Sequence, residues 1–227
     1  MPNLIFDYDG TIHNSMLTYA PAFRGTMKWL SDNGYIAEKE YTDDEISCWL
    51  GFNSTDMWNS FHPELDPEIR EKARLMLGKD MAERIDRGEG ALYDGAEEML
   101  SELKKRGYKL IFLSNCRFHY LERHKRVFRL ERFFDCFYCC EAYNFIPKYE
   151  IFKRIAPAHS GSFIVIGDRF HDIETAVRNG LPSIGCSYGF GSREELSAAD
   201  IIVDSISDIP YAADKLSHGK EGDVYEN

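Results

Sequence analysis

The sequence lacks long hydrophobic runs. Its apolar stretches, such as residues 163–166, are far shorter than the roughly 18 to 20 residues that cross a bilayer. No signal-peptide pattern follows Met1, because a short strand-like segment begins at Asn3. We therefore expect a cytoplasmic protein that does not act at a membrane.

Positive charge is also scarce, since 27 Lys and Arg face 38 Asp and Glu in 227 residues, a net charge of −11. This balance disfavours a nucleic-acid polymer or an anionic membrane surface as the main partner. A small phosphorylated metabolite remains compatible, provided that a metal ion or a few placed cations offset the repulsion locally. The sequence gives no indication of the oligomeric state.

Six cysteines are present, and Cys136, Cys139 and Cys140 lie close together. A structural zinc site needs a second ligand pair at suitable spacing, and the sequence offers none that is obvious. The cluster lies in an aromatic run, residues 133–138, that is typical of a buried strand. We expect these thiols to be reduced and to pack as small apolar side chains.

From residue 94 onward, short β-rich runs alternate with helical patterns, which indicates a parallel sheet covered by helices. Strands are predicted at residues 3–6, 109–113, 162–166, 182–186 and 201–203. The fold class is therefore α/β.

The stretch between the first two predicted strands is different in kind. Residues 14–88 show helical periodicity and no convincing strand pattern. We therefore predict a catalytic core formed by residues 1–13 and 89–216, and an inserted all-helical cap at 14–88. Residues 217–227 are polar and without periodicity, which predicts a flexible tail.

Acidic residues follow two predicted strands at the points where these strands end. Asp7 and Asp9, in the segment Asp-Tyr-Asp-Gly-Thr, project to the same side of an extended chain. Asp168 and Asp172 follow the strand at 162–166; a strand-ending turn and a helix cap are the alternative roles of such residues. If the strands are neighbours, the carboxylates repel one another, and Mg²⁺ is the natural counter-ion.

Candidate phosphate contacts are Ser114, Asn115 and Lys148. Ser114 and Asn115 close a predicted strand, where a hydroxyl and backbone N–H groups can hold anionic oxygens. A simple helix cap is the alternative. Lys148 stands at the head of a predicted helix over 149–155, where its charge opposes the helix dipole. This position favours a role toward a ligand, with a solvated lysine as the alternative.

These features occur in a specific order: Asp-x-Asp-Gly-Thr, then Ser-Asn, then Lys, then Gly-Asp-x-x-x-Asp. In this combination the chain resembles the haloacid dehalogenase-like hydrolase superfamily over essentially residues 3–210. The insertion resembles the helical cap that phosphoglycolate phosphatase-like and β-phosphoglucomutase-like members carry at that place. The segment Gly-Leu-Pro-Ser-Ile-Gly at 180–185 continues the likeness.

The resemblance implies a Rossmann-like core and a stepwise phosphoryl transfer. Asp7 would attack phosphorus and form an aspartyl-phosphate, while Asp9 would protonate the leaving oxygen and later deprotonate the hydrolytic water. By position, Mg²⁺ would bind the Asp7 carboxylate, the Asp9 backbone carbonyl and the Asp168 carboxylate. Asp172 would hold a bound water or orient these ligands.

The resemblance also assigns the phosphate contacts. Ser114 and Lys148 would hold the phosphoryl oxygens, with Asn115 in the same substrate-binding group, and Lys148 would offset charge as the bond breaks. Two departures from the family pattern stand out. The lysine motif is often Lys-Pro, whereas here Pro147 precedes Lys148. Arg169 occupies a position that is often small and hydroxylated.

The second aspartate, Asp9, separates the reactions of this family, because its dehalogenases act on carbon and lack that residue. We therefore predict a Mg²⁺-dependent phosphatase for a small phosphomonoester of the phosphoglycolate, nucleotide or sugar phosphate type; pyrophosphate is also admissible. Phosphoglucomutase-type transfer and a non-catalytic phosphoester-binding protein are the alternatives. A signalling receiver is disfavoured, because it is a much shorter chain without a helical insertion.

The cap is expected to choose the substrate, because the core supplies only phosphate chemistry. Conceivable cap contacts are Tyr19, Arg24, Trp49, Gly51, Asn53, Trp58 and His62. The alternative role of the aromatic residues among them is a small apolar core of the cap itself. His13, just after the catalytic loop, is expected on the hinge side rather than as a ligand.

Overall fold

The computed structural model describes residues 1–218, and these residues include a six-stranded sheet flanked by helices. The strands are β1 (Asn3–Phe6), β2 (Lys109–Ser114), β3 (Cys136–Cys139), β4 (Phe163–Gly167), β5 (Ser183–Cys186) and β6 (Ile201–Val203). Their order is β3-β2-β1-β4-β5-β6, and every pairing is parallel. The predicted Rossmann-like α/β core is confirmed.

The central strands form because their side chains are apolar on both faces. Strands β1 and β4 are buried along their whole length, as expected for a parallel sheet covered by helices. In the register of the sheet, Phe6 pairs with both Phe112 and Ile166. The strand order reverses between β1 and β4, and such a switch point is where open α/β sheets bind ligands. The residues that follow β1, β2 and β4 therefore meet at one edge.

Four helices lie in the segment between β1 and residue 88: α1 (Met16–Asp32), α2 (Asp43–Ser47), α3 (Ser54–Phe61) and α4 (Pro67–Asp86). Helices α1 and α4 pack against each other and share an apolar cluster separate from the core of the sheet. Asp66 caps α4 by accepting hydrogen bonds from backbone N–H groups of its first turn, and Pro67 occupies the first helical position. The all-helical cap is confirmed, and its boundaries at residues 14 and 88 stay a prediction.

Between residue 89 and residue 218, five further α-helices cover the sheet: α5 (Ala96–Lys105), α6 (Phe118–Phe128), α7 (Lys148–Ile155), α8 (Phe170–Asn179) and α9 (Ile209–His218). The predicted tail is wrong for Ser217 and His218, which belong to α9; its remainder, residues 219–227, lies outside the described residues. Within residues 1–218, no helix has the length and apolar character needed to cross a membrane.

The cysteine cluster lies in and next to β3, as the sequence predicts. This strand is at the edge of the sheet, so Cys136, Phe137 and Tyr138 are half-buried rather than buried. All six cysteines are free thiols. Burial raises the pKa of the Cys140 thiol to about 12, which keeps it protonated and unreactive.

Candidate active site

Three buried carboxylates meet where β1 and β4 end. Asp7 follows β1, Asp168 follows β4, and Asp172 lies in the first turn of α8. One carboxylate oxygen from each lies within 4.8 Å of the other two. Asp172 also accepts a hydrogen bond of 3.1 Å from the backbone N–H of Arg169, which caps α8. The structure thus brings together three of the four residues predicted to bind metal.

A single ammonium group lies among these carboxylates. Nζ of Lys148, the first residue of α7, is 2.7 Å from Oδ1 of Asp7 and 2.7 Å from Oδ1 of Asp172. Burial alone would lower the pKa of Lys148, but the two carboxylates raise it above its ordinary value. Three carboxylates against one ammonium leave a formal charge of −2, which a divalent cation would neutralise.

The carboxylates themselves resist ionisation in this surrounding. Burial, followed by the charge of Asp172, raises the pKa of Asp7 well above its ordinary value, and Lys148 only partly offsets this shift. The same two causes, burial and then Asp172, raise the pKa of Asp168. A bound cation would reverse both shifts, because it stabilises the charged forms.

Asp168 is held by a cradle of backbone and small residues. Its Oδ2 accepts a hydrogen bond of 2.7 Å from the backbone N–H of Phe190, and its Oδ1 accepts one of 3.1 Å from the Thr11 hydroxyl. Gly10 has a φ of +83°, and a Cβ there would lie 2.1 Å from Oδ2 of Asp168. A Cβ on Gly189 would lie 2.3 Å from Cβ of Asp168. This rigid, all-oxygen donor set fits Mg²⁺.

Asp9 lies outside this group of carboxylates. Its Oδ1 accepts a hydrogen bond of 2.6 Å from the Tyr120 hydroxyl and lies 3.2 Å from Nδ1 of His13. Burial favours a raised pKa for Asp9, but the hydrogen bonds from His13 and Tyr120 outweigh it and leave the pKa below its ordinary value. His13 is fully buried against this carboxylate and forms a β-bridge with Leu92, in the segment that returns from the cap; its place on the hinge side stays a prediction.

A cavity of about 400 Å³ opens between the cap and the core at this point. Asp7, Asp9, Ser114 and Asn115 all line it. Ser114 is buried at the end of β2, next to the strand that leads into Asp7. The candidate nucleophile, the candidate acid and two of the three candidate phosphate contacts therefore line one cavity, while Lys148 lies behind Asp7.

Two core residues bind the cap loop 48–53. The Asn115 amide donates a hydrogen bond of 2.9 Å to the carbonyl of Gly51, so this side chain is engaged by the cap. The Arg169 guanidinium donates to the carbonyls of Leu50 and Cys48, the latter at 3.3 Å. Arg169 is buried, and these contacts direct it to the cap loop.

The predicted cap contacts divide into two sets. Four of them line the cavity, namely Tyr19, Trp49, Gly51 and Trp58. The other three serve the cap itself: Arg24 binds the Tyr41 carbonyl and Asp43, Asn53 caps α3, and His62 contacts Glu64.

Other lining residues carried no signal in the sequence. Phe52 and Met57 come from the cap, and Arg117, Tyr120 and Arg123 come from α6 or the turn before it. They reach the cavity only through the packing of the cap on α6, which no local pattern in the sequence reveals. His13 contacts Asp9 without lining the cavity, and its position four residues after Asp9 is a local hint.

Comparison with known proteins gives concordant matches. A family model described as haloacid dehalogenase-like hydrolase matches residues 4–186. A 5′-nucleotidase of Pseudomonas aeruginosa is 27% identical over 207 residues, 87% of this chain and 87% of that protein. The pyrophosphatase PpaX of Listeria innocua is 24% identical and covers 91% of this chain and 93% of its own. A solved structure of a predicted phosphatase from Clostridium acetobutylicum has a TM-score of 0.77 at 26% identity, covering 95% and 99% of the two chains.

Proposed function

Because the chain belongs to the haloacid dehalogenase-like hydrolases, we propose that it is a Mg²⁺-dependent phosphatase that acts through an aspartyl-phosphate. The observation that carries this proposal is the position of Asp7. Its carboxylate lines the cavity and lies 2.7 Å from Nζ of Lys148. Covalent phosphoryl transfer needs such a nucleophile facing the substrate, beside a cation that offsets the charge of the transferring group.

The proposed reaction uses Asp7 and Asp9 in turn. Asp7 attacks phosphorus in line while the bond to the leaving oxygen breaks, and Asp9 donates a proton to that oxygen. Asp9 then takes a proton from the water that hydrolyses the aspartyl-phosphate, which restores Asp7 and releases phosphate. Ser114 donates to a phosphoryl oxygen, and Asn115 contributes its backbone N–H, since its amide is held by the cap.

The residues that would hold Mg²⁺ are Asp7, Asp168 and Asp172, with Asp9 contributing its backbone carbonyl. Buried carboxylates with a formal excess of negative charge fit this ion. When bound, Mg²⁺ supplies electrostatic stabilisation to the phosphoryl group. Asp172 also binds Lys148 and the Arg169 backbone, so its part in the site is to keep the other ligands oriented.

The test is phosphate release from a panel of phosphorylated metabolites with and without Mg²⁺. We expect Asp7→Asn to abolish turnover, and Asp32→Asn, a surface change on α1, to leave it unchanged. Chelation should remove activity, and Mg²⁺ should restore it far better than Ca²⁺, whose coordination is looser. Full activity of Asp7→Asn would refute the mechanism. Isomerised product without phosphate release would show the mutase, and binding without turnover would show a phosphoester-binding protein.

A further inference from the structure

The cavity is larger than phosphate chemistry requires. It extends from Asp7 and Asp9 between the cap helices α3 and α4 and the core helix α6. Its volume of about 400 Å³ is that of a site for a whole small molecule, commonly about 300–1,000 Å³. A two-carbon acid or a second phosphate as leaving group would leave much of this space unfilled.

Aromatic rings form much of the wall. Trp49 and Phe52 belong to the cap loop 48–53 and are only half-buried, with ring centroids 6.3 Å apart. Trp58 also lines the cavity, but it is 2% exposed and belongs to the apolar cluster of the cap. Trp49 and Phe52 pack at the margin of that cluster, Trp49 on Phe61 and Phe52 on His171, and as half-buried rings they retain surface that a ligand can contact. Aromatic groups stack favourably on such rings.

The wall is apolar over most of its surface, because aliphatic side chains such as Leu50, Met57 and Met81 line it beside the aromatic rings. Among residues 1–218, the carboxylates that line the cavity are those of Asp7 and Asp9. The lining cations are engaged by acidic side chains outside it, as Arg117 is by Glu141 at 3.1 Å. A polyhydroxylated sugar needs a polar partner for each hydroxyl group, and a mostly apolar wall leaves several of them without one. The wall therefore favours a flat leaving group over a hexose.

One buried hydroxyl on the wall has no partner. Ser15 is fully buried, and its Oγ forms no hydrogen bond within residues 1–218. It lines the same cavity as Asp9 and Trp49. Buried hydroxyl groups are nearly always paired, so this one is available to a polar atom of a ligand.

From these observations we infer that the leaving group carries a flat aromatic ring of nucleobase type, which stacks on Trp49 and Phe52. A nucleoside has the corresponding size, and its ribose offers a hydroxyl to Ser15. This inference rests on the proposed function and narrows its substrate to aromatic phosphomonoesters. Phosphoglycolate, pyrophosphate and hexose phosphates are then poor substrates.

A matched set of substrates tests the inference. Adenosine and uridine 5′-monophosphate differ from ribose 5-phosphate by the base alone, and pyridoxal 5′-phosphate carries an aromatic ring without ribose. We expect kcat/KM for the nucleotides to exceed that for ribose 5-phosphate by about tenfold or more, the effect of stacking one base. If pyridoxal 5′-phosphate were the only good substrate of this set, the leaving group would still be aromatic, but it would not be a nucleoside. Equal kcat/KM values for ribose 5-phosphate and the nucleotides would overturn the inference but not the proposed phosphatase function.

Variants of Trp49 test whether the aromatic ring of the leaving group stacks on this side chain. Trp49→Leu should lower kcat/KM for the nucleotide about tenfold and leave that for ribose 5-phosphate unchanged, whereas Trp49→Phe should retain most of the preference. Trp29→Leu is the control, because Trp29 packs against the cap cluster but does not line the cavity. An equal loss for both substrates would mean that Trp49 only supports the cap, and the inference would fail.

A binding measurement distinguishes failure of the inferred aromatic subsite from failure of the proposed phosphatase function. Calorimetry on Asp7→Asn with Mg²⁺ compares adenosine 5′-monophosphate with ribose 5-phosphate without any turnover. Tighter binding of the nucleotide supports the aromatic subsite even if the wild-type protein hydrolyses nothing in the panel. Equal binding of the two compounds overturns it.

Discussion

The Tyr120 hydroxyl donates a hydrogen bond of 2.6 Å to Oδ1 of Asp9, the same oxygen that lies 3.2 Å from Nδ1 of His13. Both contacts use one oxygen, and within residues 1–218 no hydrogen bond engages the other. The ring of Tyr120 is itself fixed by stacking on His124, with centroids 3.9 Å apart. Tyr120 is thus a positioning residue that fixes the orientation of the carboxyl group of Asp9, the proposed acid.

Removing this hydroxyl should slow the reaction in a manner that depends on the leaving group. We expect Tyr120→Phe to lower kcat roughly tenfold for alkyl phosphates, because the Asp9 carboxyl group is then no longer held in one orientation toward the leaving oxygen. An aryl ester such as p-nitrophenyl phosphate leaves without protonation, so its turnover should change little. Steady-state rates for the two ester types provide the measurement.

Tyr108→Phe is the matched control for Tyr120→Phe. The Tyr108 hydroxyl also donates to a carboxylate, Asp214, at 2.7 Å, but on α9 and away from the cavity. Its loss should leave both rates unchanged. An equal defect of Tyr120→Phe on alkyl and aryl esters would show that Tyr120 acts through general packing and not through Asp9.

Arg169 should determine how firmly the cap loop is held. Its side chain is 5% exposed and contacts the carbonyls of Cys48 and Leu50 as well as Glu195 at 3.0 Å. We expect Arg169→Ala to raise KM several-fold and to lower the free energy of unfolding by about 1–3 kcal/mol, the cost of leaving buried polar groups unpaired. Substrate titration and urea denaturation measure the two effects.

The control for Arg169 is Arg178→Ala. Arg178 pairs with Glu174 at 2.7 Å on the exposed face of α8, and such pairs contribute about 0–1 kcal/mol. We expect almost no change in KM or stability. If Arg169→Ala also left KM unchanged, the contacts with the cap loop would have no part in substrate binding.

Lys148 should be required for turnover at every substrate concentration. Lys148→Met removes the cation shared by Asp7 and Asp172, and losing one such electrostatic contact lowers kcat by about 10²–10³. Lys153, on the exposed side of the same helix, pairs with Glu150, and Lys153→Met should retain full activity. If Lys148→Met had the kcat of the wild type, the phosphate contact would have to be assigned to another residue.

How much of this site the sequence predicts depends on the range of the contacts. Asp7, Asp168 and Asp172 could be placed because each follows a strand or opens a helix, and parallel strands share one edge. Lys148 was placed as well, although Pro147 shifts its motif, because the start of α7 is a local feature. The family, the hydrolase class and the α/β fold with its cap were predictable from the same kind of local feature, and the family match and the sheet topology confirm them.

The residues that sequence reasoning missed depend on contacts between distant segments. Tyr120 reaches Asp9 across 111 positions of sequence, and Arg169 reaches Leu50 across 119. Neither distance follows from periodicity, because both depend on how the cap rests on the core. Helical periodicity also does not decide which apolar residues of the cap are buried, since Leu17 on α1 is 46% exposed. The cytoplasmic location and the absence of nucleic-acid partners stay predictions.

The stability of the protein should fall at low pH because of the buried His124. Burial, reinforced by the nearby His13, lowers the pKa of His124 well below its ordinary value, with Arg123 acting in the same direction and Asp9 against it. Tyr8 and Tyr120 complete its surroundings, and Nδ1 of His124 lies 2.9 Å from the Tyr8 hydroxyl. His124 therefore stays neutral in the folded protein while the unfolded chain takes up a proton near pH 6.5.

The unfolded state then binds more protons below that pH, so the stability from His124 is present above about pH 6.5 and declines as the pH falls. Between pH 7.5 and 5.5 we expect the free energy of unfolding to drop by about 1 kcal/mol from this group alone. Urea denaturation of His124→Phe should show a correspondingly shallower pH dependence, whereas His218→Gln, at the exposed end of α9, should follow the wild type. If the free energy of unfolding showed the same pH dependence in wild type and His124→Phe, protonation of the buried His124 would cost no stability, and the prediction would be wrong.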